Sequence, residues 1–381
     1  MSIVYTEEQK ELRQLVADFM RKEVEPYKAQ WDREGHFPLE TYKKACSLGL
    51  HVMEIPEEYG GAGLDHATMA MIFEEMGYWD AGFAITCGTS MVQGLKATLL
   101  FGNEEQKKML ADIVVNGGFC SYVLTEPNTG SDASSLTTTY VQDGDDYIIN
   151  GTKCFATTGA YADILFVFAT RDKKLGKDGV SAFIVPSNTP GITIGKHEDK
   201  MGLRLSNTCE IAFDNVRVPA KNLVGGEGHG MRVAFGTLNL GRLEAAAVAT
   251  GITRRALEES VKYAKVRSVF GKPIIDHQMV TQMLADMAVS LEASRALVNS
   301  GMQAFDNKSE DVRLVASAAK IFCTDNAVKA TQDAIQVFGG YGYSKEYPVE
   351  KLYRDAKVFQ IFEGTNQIQR IVVGRELKKL Y

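Results

Sequence analysis

The sequence predicts a mainly α-helical protein with a β domain at its centre. Apolar residues recur at helical spacing in the first part of the chain, whereas the middle part breaks into short β-branched and aromatic runs. Long helical segments rich in Ala and Leu then fill the last part. We therefore expect a helical domain at 1–117, a β domain at 118–230 and a helical bundle at 231–381.

The first domain opens with a helix signal. Thr6 and Gln9 have the spacing of a capping box, which closes the first turn of a helix. The apolar residues that fall on one face of this helix, at i, i+3, i+4 and i+7, are Leu12, Leu15, Val16 and Phe19. The same periodicity returns at 39–48 and 67–76, with a glycine cluster at 59–63 between them.

The β domain is predicted from short runs bounded by turn formers. Residues 147–149 and 153–157 flank Asn150-Gly151, a pair that favours a tight hairpin turn. Further strands are expected at 164–169, 181–185, 191–195 and 209–213. Helices should follow at 231–266, 278–305 and 309–338.

Composition excludes several classes of function. The chain has 381 residues with a formal net charge of −6, and no Lys/Arg stretch offers a field for nucleic acid. Its six cysteines never form a C-x-x-C pair, so we expect reduced thiols and no metal site. No apolar stretch reaches the ~20 residues of a membrane span, and the opening residues lack a signal-peptide pattern. These features favour a cytoplasmic protein.

Three segments have the composition of ligand-binding loops. In the segment from Tyr122 to Ser131, apolar residues lead into a loop dense in hydroxyls and turn formers, which suits a flat polar ligand; a plain surface turn is the alternative. Arg267, shortly before Gln278, suits phosphate, although an arginine at a helix end is by itself more often a partner for a carbonyl or carboxylate. Gln336 to Gly342 contains three glycines that permit close backbone approach or simply end a helix.

Glu363 is the candidate base. It lies between apolar residues and a turn that leads into an amphipathic helix. Desolvation there would raise the pKa of the carboxyl and make it a stronger base. Capping of the following helix is the alternative role.

Together and in this order, these segments resemble the acyl-CoA dehydrogenase family over essentially the whole chain. The matching motifs are Pro56-Glu-Glu-Tyr-Gly-Gly61, Thr125-Glu-Pro with Gly130-Ser-Asp132, Asn150-Gly-Thr-Lys153, Val216-Arg-Val-Pro219, Arg267-x-x-Phe-Gly271, His277-Gln278, Gln336 to Gly340 and Glu363-Gly-Thr365. The family's order of helical domain, β-barrel-like domain and four-helix bundle agrees with the predicted fold. The resemblance implies a homotetramer, built as a dimer of dimers.

The resemblance also implies FAD as cofactor. The residues expected to contact it are Tyr122, Val123, Leu124, Thr125, Gly130, Ser131, Phe155, Ala156, Thr157, Arg267, Phe270, Gln278, Gln336, Val337, Phe338, Gly339, Gly340, Thr365, Asn366 and Gln367. Arg267 and Gln278 would serve one flavin while Gln336 to Gly340 come from the neighbouring chain. Phe155 stands where the family often has Trp.

The resemblance places an acyl-CoA thioester beside the flavin. The residues expected to contact it are Ser131, Asn239, Leu240, Gly241, Arg242 and Gly364, and Asn239 stands where Asp is common. Glu363 would take the α-proton while its backbone N–H polarises the thioester carbonyl. Residues 83–93 contain no charged side chain, which favours a short, straight, branched or alicyclic neutral acyl group. Electrons would pass to an electron-transferring flavoprotein.

Three alternatives remain open at this point. An acyl-CoA oxidase or an enoyl-CoA reductase would use the same residues. A catalytically silent helical scaffold or binding module would be expected to lack the base, and Glu363 is present.

Overall fold

The N-terminal part of the chain is helical, as predicted. The computed structural model describes residues 5–380; Tyr381 lies outside this range, and so do Met1 to Val4, which belong to the opening segment used to argue against a signal peptide. The helices are α1 (Glu7–Glu23), α2 (Lys28–Glu34), α3 (Leu39–Ser47), α4 (His66–Trp79), α5 (Ala81–Thr89), α6 (Lys96–Phe101) and α7 (Glu104–Val115). A π-helical segment, Ser90–Leu95, joins α5 to α6.

The predicted capping box is confirmed at the start of α1. The Gln9 amide N–H donates to Thr6 Oγ1 at 3.2 Å, and the Thr6 N–H donates to Gln9 Oε1 at 3.0 Å. Of the apolar residues on the predicted face, Val16 is buried, whereas Leu15 is 44% exposed. Helix α1 packs along α4, which covers only a narrow stripe and leaves Leu15 at its edge.

The central domain is a sheet of eight strands within the described residues 5–380. The strands are β1 (Phe119–Val123), β2 (Thr139–Asp143), β3 (Asp146–Thr157), β4 (Ala162–Thr170), β5 (Val180–Pro186), β6 (Ile192–His197), β7 (Thr208–Pro219) and β8 (Leu223–Val224). Their order is β6-β7-β3-β2-β4-β5-β8, and β1 pairs in parallel with β4.

The hairpin turn predicted at Asn150-Gly151 is wrong. Strand β3 runs straight through this pair, and the β2–β3 turn lies at Gly144, which has φ 63°. Gly151 instead marks a register shift against β7, and a Cβ there would lie 2.6 Å from the Thr138 Cα. Asn150 accepts from the Asn215 N–H at 2.7 Å. Gly151 is therefore required for a close contact with Thr138 and not for a turn.

The C-terminal part consists of helices α8 (Gly230–Val266), α9 (Gln278–Asp306), α10 (Val312–Phe338), α11 (Val349–Phe359) and α12 (Asn366–Leu380), with a small β9–β10 ladder (Ser268–Val269, Lys272–Pro273) between α8 and α9. The three long helices pack on one another, and α12 packs on α10. No helix in the described part of the chain is long and apolar enough to cross a membrane.

Helix α8 also crosses α4 of the N-terminal part at very close range. A Cβ on Gly77 would lie 2.5 Å from the Val248 carbonyl oxygen, and a Cβ on Gly251 would lie 2.6 Å from the Tyr78 backbone nitrogen. Glycine at both positions therefore lets the two backbones touch. The crossing fixes α8 against the helical domain that also contributes to the site described below.

We expect Gly251→Ala to lower the free energy of unfolding by about 1–3 kcal/mol, because the added methyl group has backbone atoms as neighbours and cannot be accommodated by a rotamer change. Thermal and denaturant unfolding measure the loss. Gly374→Ala is the control: it lies in α12 with no atom near its Cβ position, and it should be neutral or slightly stabilising. Equal behaviour of the two variants would contradict the close crossing.

Candidate active site

Glu363 lies in the turn between α11 and α12 and has a strained backbone. Its φ is 56°, a left-handed conformation that non-glycine residues adopt rarely. Its Oε1 accepts a hydrogen bond from Gln93 of the π-helical segment. Its Oε2 is buried and has no hydrogen-bond partner in the described part of the chain. The carboxyl thus has one oxygen held and one free.

The helix-capping role that the sequence left open for Glu363 belongs to another residue. The Ile368 N–H at the start of α12 donates to Thr365 Oγ1 at 3.2 Å, so Thr365 satisfies the first turn. The Glu363 carbonyl is held from the other side by Gln369 Nε2 at 2.9 Å. The backbone of the turn is therefore fixed without the Glu363 side chain.

Burial raises the pKa of Glu363, and two cations with the Gln93 hydrogen bond oppose that rise. Arg242 of α8 is buried, donates to Asn239 Oδ1 at 3.0 Å and keeps its Nε without a partner within residues 5–380. Lys320 of α10 donates to the Gly364 carbonyl at 2.9 Å and to Asn366 Oδ1 at 2.7 Å. The carboxyl is a desolvated base beside positive charge.

The α8 residues predicted to contact substrate pass directly beneath this carboxyl. A Cβ on Gly241 would lie 2.7 Å from Glu363 Oε2, so the glycine leaves the free oxygen room. Leu240 is buried in the core, and Asn239 is half-buried and engaged by Arg242. The structure therefore brings Gly241, Arg242 and Gly364 to Glu363, whereas Leu240 packs away from it.

Tyr122 and its loop lie at the same place. Tyr122 on β1 donates to the Ala234 carbonyl of α8 at 3.3 Å, and burial together with the charge of Glu363 raises the pKa of its phenol. Val123 is buried; Leu124 and Thr125 are half-buried; Gly130 and Ser131 are exposed. No neighbouring atom lies within 4 Å of a Cβ position on Gly130, so its backbone is open to a ligand.

A buried ion pair supports this loop. Lys153 Nζ on β3 lies 2.8 Å from Glu126 Oε1, both side chains are inaccessible, and Lys153 also donates to the Leu124 carbonyl at 3.0 Å. Glu126 further accepts from the Thr137 N–H at 2.6 Å. These bonds lower the pKa of Glu126 to about 2 against the burial that would raise it. The pair holds the loop against the sheet.

The third predicted cofactor segment, Phe155 to Thr157, closes β3 beside the loop. The Cys154 N–H donates to the Thr125 carbonyl at 2.9 Å, which ties the two segments together. Phe155 adopts φ 54° at a register shift between β3 and β7 and is 62% exposed. Ala156 is buried and Thr157 half-buried. The bulge turns one aromatic ring away from the core.

Most of the remaining predicted cofactor residues line two separate clefts. One, of about 440 Å³, is lined by Arg267, Val337, Phe338, Gly339 and Gly340 among others. The other, of about 460 Å³, is lined by Thr365, Asn366 and Gln367 with Asp325, Lys357 and Arg370. Phe270 is 95% exposed, and Gln278 and Gln336 are exposed as well.

Arg267 and the Gly339-Gly340 turn meet in one chain. The expectation had divided them between two chains, and the shared cleft makes that division unnecessary. A Cβ on Gly339 or Gly340 would meet no neighbouring atom, so a ligand has access to their backbone.

Two side chains at the site were not singled out from the sequence. Gln93 binds the candidate base, and it is a lone amide in a stretch that is otherwise apolar or hydroxylic. Lys320 supports the turn after Glu363, and it is a lysine at a core spacing between Ala316 and Cys323. A long polar side chain on an otherwise buried helix face was the available signal in both cases.

Known proteins share this sequence pattern and this fold. Three domain models of one family match the chain in order. They are "Acyl-CoA dehydrogenase, N-terminal domain" over residues 6–117, "Acyl-CoA dehydrogenase, middle domain" over 121–216 and "Acyl-CoA dehydrogenase, C-terminal domain" over 228–378. An acyl-CoA dehydrogenase of Bacillus subtilis is 45% identical over 373 residues, 98% of each chain.

Solved structures give the same result. Butyryl-CoA dehydrogenase from Megasphaera elsdenii has a TM-score of 0.96 at 40% identity, covering 99% of this chain and 100% of its own. A chain solved in work described as "Electron transferring flavoprotein of Acidaminococcus fermentans: Towards a mechanism of flavin-based electron bifurcation" has a TM-score of 0.95 at 41% identity, covering 99% of both.

Fold, site and relatives define an oxidoreductase of the flavoprotein class. The chain belongs to the acyl-CoA dehydrogenase family, whose members depend on FAD. The fold class and enzyme class predicted from the sequence are thereby confirmed.

We expect Lys153→Met to destabilise the protein by about 3–5 kcal/mol and to reduce retained flavin, because it leaves the Glu126 carboxylate buried without its cation. Thermal unfolding and flavin absorbance measure the two effects. Lys196→Met, at a lysine with 74% side-chain exposure, is the control and should change neither. A Glu126→Gln/Lys153→Met double variant should recover much of the lost stability; no recovery would contradict an uncompensated charge as the cause.

Proposed function

We propose that the chain catalyses FAD-dependent α,β-dehydrogenation of an acyl-CoA thioester to the 2-enoyl thioester, with Glu363 as the base. The observation that carries this proposal is the buried Oε2 of Glu363, a carboxylate oxygen that is free of partners within residues 5–380 and aimed past Gly241. A structural carboxylate at this depth would normally be fully hydrogen-bonded.

Glu363 would remove the α-proton with Oε2 while Gln93 holds Oε1. A turn fixed by Thr365, Lys320 and Gln369 positions the base, so its placement needs no further ordering on substrate binding. The thioester carbonyl would accept from the Glu363 backbone N–H, which stabilises the enolate-like charge. Bound flavin would supply the hydride acceptor, which no side chain provides.

The residues at the site fit FAD. The open backbone of Gly130, the bulged Phe155 and the half-buried Thr125 would hold the ring system beside Tyr122. The cleft at Thr365, Asn366 and Gln367 would take the polar portion, since it offers amide and hydroxyl groups with Arg370 nearby.

Arg267 must serve a different flavin from the one beside its own Glu363. It follows Arg242 by 25 residues, and the helix between them is unbroken, so the two lie ~37 Å apart along α8 at 1.5 Å per residue. That separation exceeds what one dinucleotide spans. We propose that Arg267, Gln278 and the Gln336 to Gly340 segment all reach the flavin of a neighbouring chain in a homotetramer.

The acyl group and the electron acceptor complete the proposal. We propose a short, straight, branched or alicyclic neutral acyl group, supported by the uncharged residues 83–93 and by the butyryl-CoA dehydrogenase relative. We propose an electron-transferring flavoprotein as acceptor, which the description of a second relative names. The six free thiols, five of them buried, agree with a cytoplasmic setting.

We expect Glu363→Gln to keep the fold, the FAD and thioester binding yet slow anaerobic flavin reduction by at least about 10²–10⁴-fold, because the amide cannot accept the α-proton. Burial raises the pKa of Glu363 above its usual value. The base form is therefore lost as pH falls through that raised pKa, and the wild-type rate should fall with it. Stopped-flow reduction across pH measures both.

Two controls accompany this experiment. The exposed Glu310→Gln should be unchanged in rate and stability. A Glu363→Gln variant that reduces its flavin within about threefold of wild type would refute the base assignment. Rapid reoxidation of the reduced wild-type enzyme by oxygen would instead identify an oxidase.

We expect purified protein to carry about one FAD per chain and Arg267→Met to lower flavin affinity at least about tenfold, because a bidentate charged contact to phosphate is lost. The exposed Arg21→Met is the control. Flavin retention through gel filtration measures the change.

Mixed assemblies of Arg267→Met and Glu363→Gln chains test the shared site. At an FAD concentration too low to fill the Arg267→Met sites, each variant alone should be nearly inactive, whereas random mixing should restore activity in about a quarter of the sites, since intact residues then meet across the interface. No recovery in verified mixed assemblies would show that Arg267 acts within its own chain.

A further inference from the structure

Glu244 of α8 is a buried carboxyl that the reaction described above does not use. It is 5% exposed, and its Oε1 is buried without a hydrogen-bond partner within residues 5–380. A buried polar oxygen left unpaired costs free energy, so its retention in a packed core calls for a ligand or a bound water.

Glycine at position 88 makes the room for this carboxyl. A Cβ on Gly88 of α5 would collide with Glu244 Oε1 and would lie 2.9 Å from the Phe73 ring. Glu244 therefore points between α4 and α5 against a backbone that presents no side chain. Glu244 can therefore hold this position only with glycine at 88, because any larger residue there would displace its carboxyl.

Two chain segments connect Glu244 to the base. On α8, Gly241 abuts Glu363 Oε2 and Glu244 follows it by three residues. On the opposing side, Gly88 of α5 contacts Glu244, and Gln93 of the π-helical segment that follows α5 binds Glu363. Gly241 and Glu244 are at positions i and i+3 of α8 and therefore share a face of the helix. The free oxygen of Glu363, which contacts Gly241, and the free oxygen of Glu244 thus lie on the same side of α8, about one turn or ~5 Å apart along its axis.

The charges around Glu244 favour its uncharged form. Burial raises the pKa of Glu244 far above its usual value, and the negative charges of Glu363 and Glu54 raise it further. Glu54 is itself compensated by Lys96 and by His66, whose Nε2 lies 3.0 Å from it. Neither Lys96 nor His66 bonds to Glu244, so no direct partner offsets the cost of charging this carboxyl, and its uncharged form can both donate and accept a hydrogen bond.

We propose that Glu244 forms the far end of the acyl-binding site and receives an acyl chain that carries a hydroxyl at C4 or C5. The inference rests on the proposed dehydrogenase function and narrows its neutral substrate class. A hydroxyl one helical turn beyond the α-carbon satisfies the free oxygen of Glu244. A methyl end leaves that oxygen unpaired, and a carboxylate end adds a second buried acid.

The test compares C5 thioesters that differ only at their end: pentanoyl-, 5-hydroxypentanoyl-, 5-aminopentanoyl- and glutaryl-CoA, with butyryl- and 4-hydroxybutyryl-CoA as the C4 pair. Anaerobic flavin reduction gives kcat and KM for each in the FAD-loaded enzyme. Binding of non-reactive thioether analogues with the same ends, followed by calorimetry, gives affinity independently of turnover.

We expect the wild type to prefer the hydroxyl over the methyl end by at least about tenfold in kcat/KM and in analogue affinity at C4 or C5. Glu244→Leu should reverse that preference, whereas Glu244→Gln should keep most of it, because the amide still donates and accepts. Glu258→Leu, a partly exposed glutamate on the same helix, is the control and should leave the order unchanged.

Two outcomes would overturn the inference. Preference for the methyl end with no effect of Glu244→Leu makes Glu244 a structural acid only. Preference for the ammonium end means that Glu244 is ionised and the hydroxyl assignment is wrong. Loss of folding in Glu244→Leu leaves the decision to Glu244→Gln and to the wild-type end preferences. If no thioester reduces the flavin, the proposed function itself fails, and the two failures remain distinct.

Discussion

The unbroken length of helix α8 is the constraint on which the site depends. Its 37 residues run from beneath the β domain to the β9–β10 ladder without a proline or a kink. The first third of α8 presents Gly241 and Arg242 to Glu363, and Arg267, just after its last residue, is exposed. Because Arg242 and Arg267 lie ~37 Å apart along one helix at 1.5 Å per residue, we propose that a complete cofactor site requires a second copy of the chain.

The crossing with α4 fixes the position of α8. Gly77 and Gly251 remove the side chains that would separate the helices, and the carboxylates of Glu74 and Glu75 then pair with Arg254 in the gap. Backbone contact permits little sliding, because any shift would bring Cβ atoms into the space that glycine leaves open. The position of Arg242 relative to Gln93 is therefore set by the α4–α8 crossing, which lies away from the candidate base.

Periodicity and turn chemistry predicted the helices, most strands and the capping box, because each depends on residues close together in the chain. The same rules failed at Asn150-Gly151, where a glycine required by contact with Thr138 looked identical to a glycine required by a turn. They also left out Gln93, Lys320 and Glu244, whose partners lie far away in sequence. Residues 83–93 contain no charged side chain, as the sequence shows. Their surroundings do, because α8 brings the Glu244 carboxyl against Gly88.

The contrast among three glutamates with desolvated carboxyl groups shows how this fold sets the chemistry of each carboxyl. Glu126 meets Lys153 and backbone N–H groups, which hold its pKa at about 2 and make it a permanent anion that shapes a loop. Glu363 meets two cations that do not touch it, so burial still raises its pKa and leaves a base with a free oxygen. Glu244 has no cation as a hydrogen-bond partner, so burial and the charges of Glu363 and Glu54 raise its pKa and favour its uncharged form. Because desolvation acts on all three, the number of direct partners decides whether a buried acid supports structure, accepts a proton or recognises a neutral ligand.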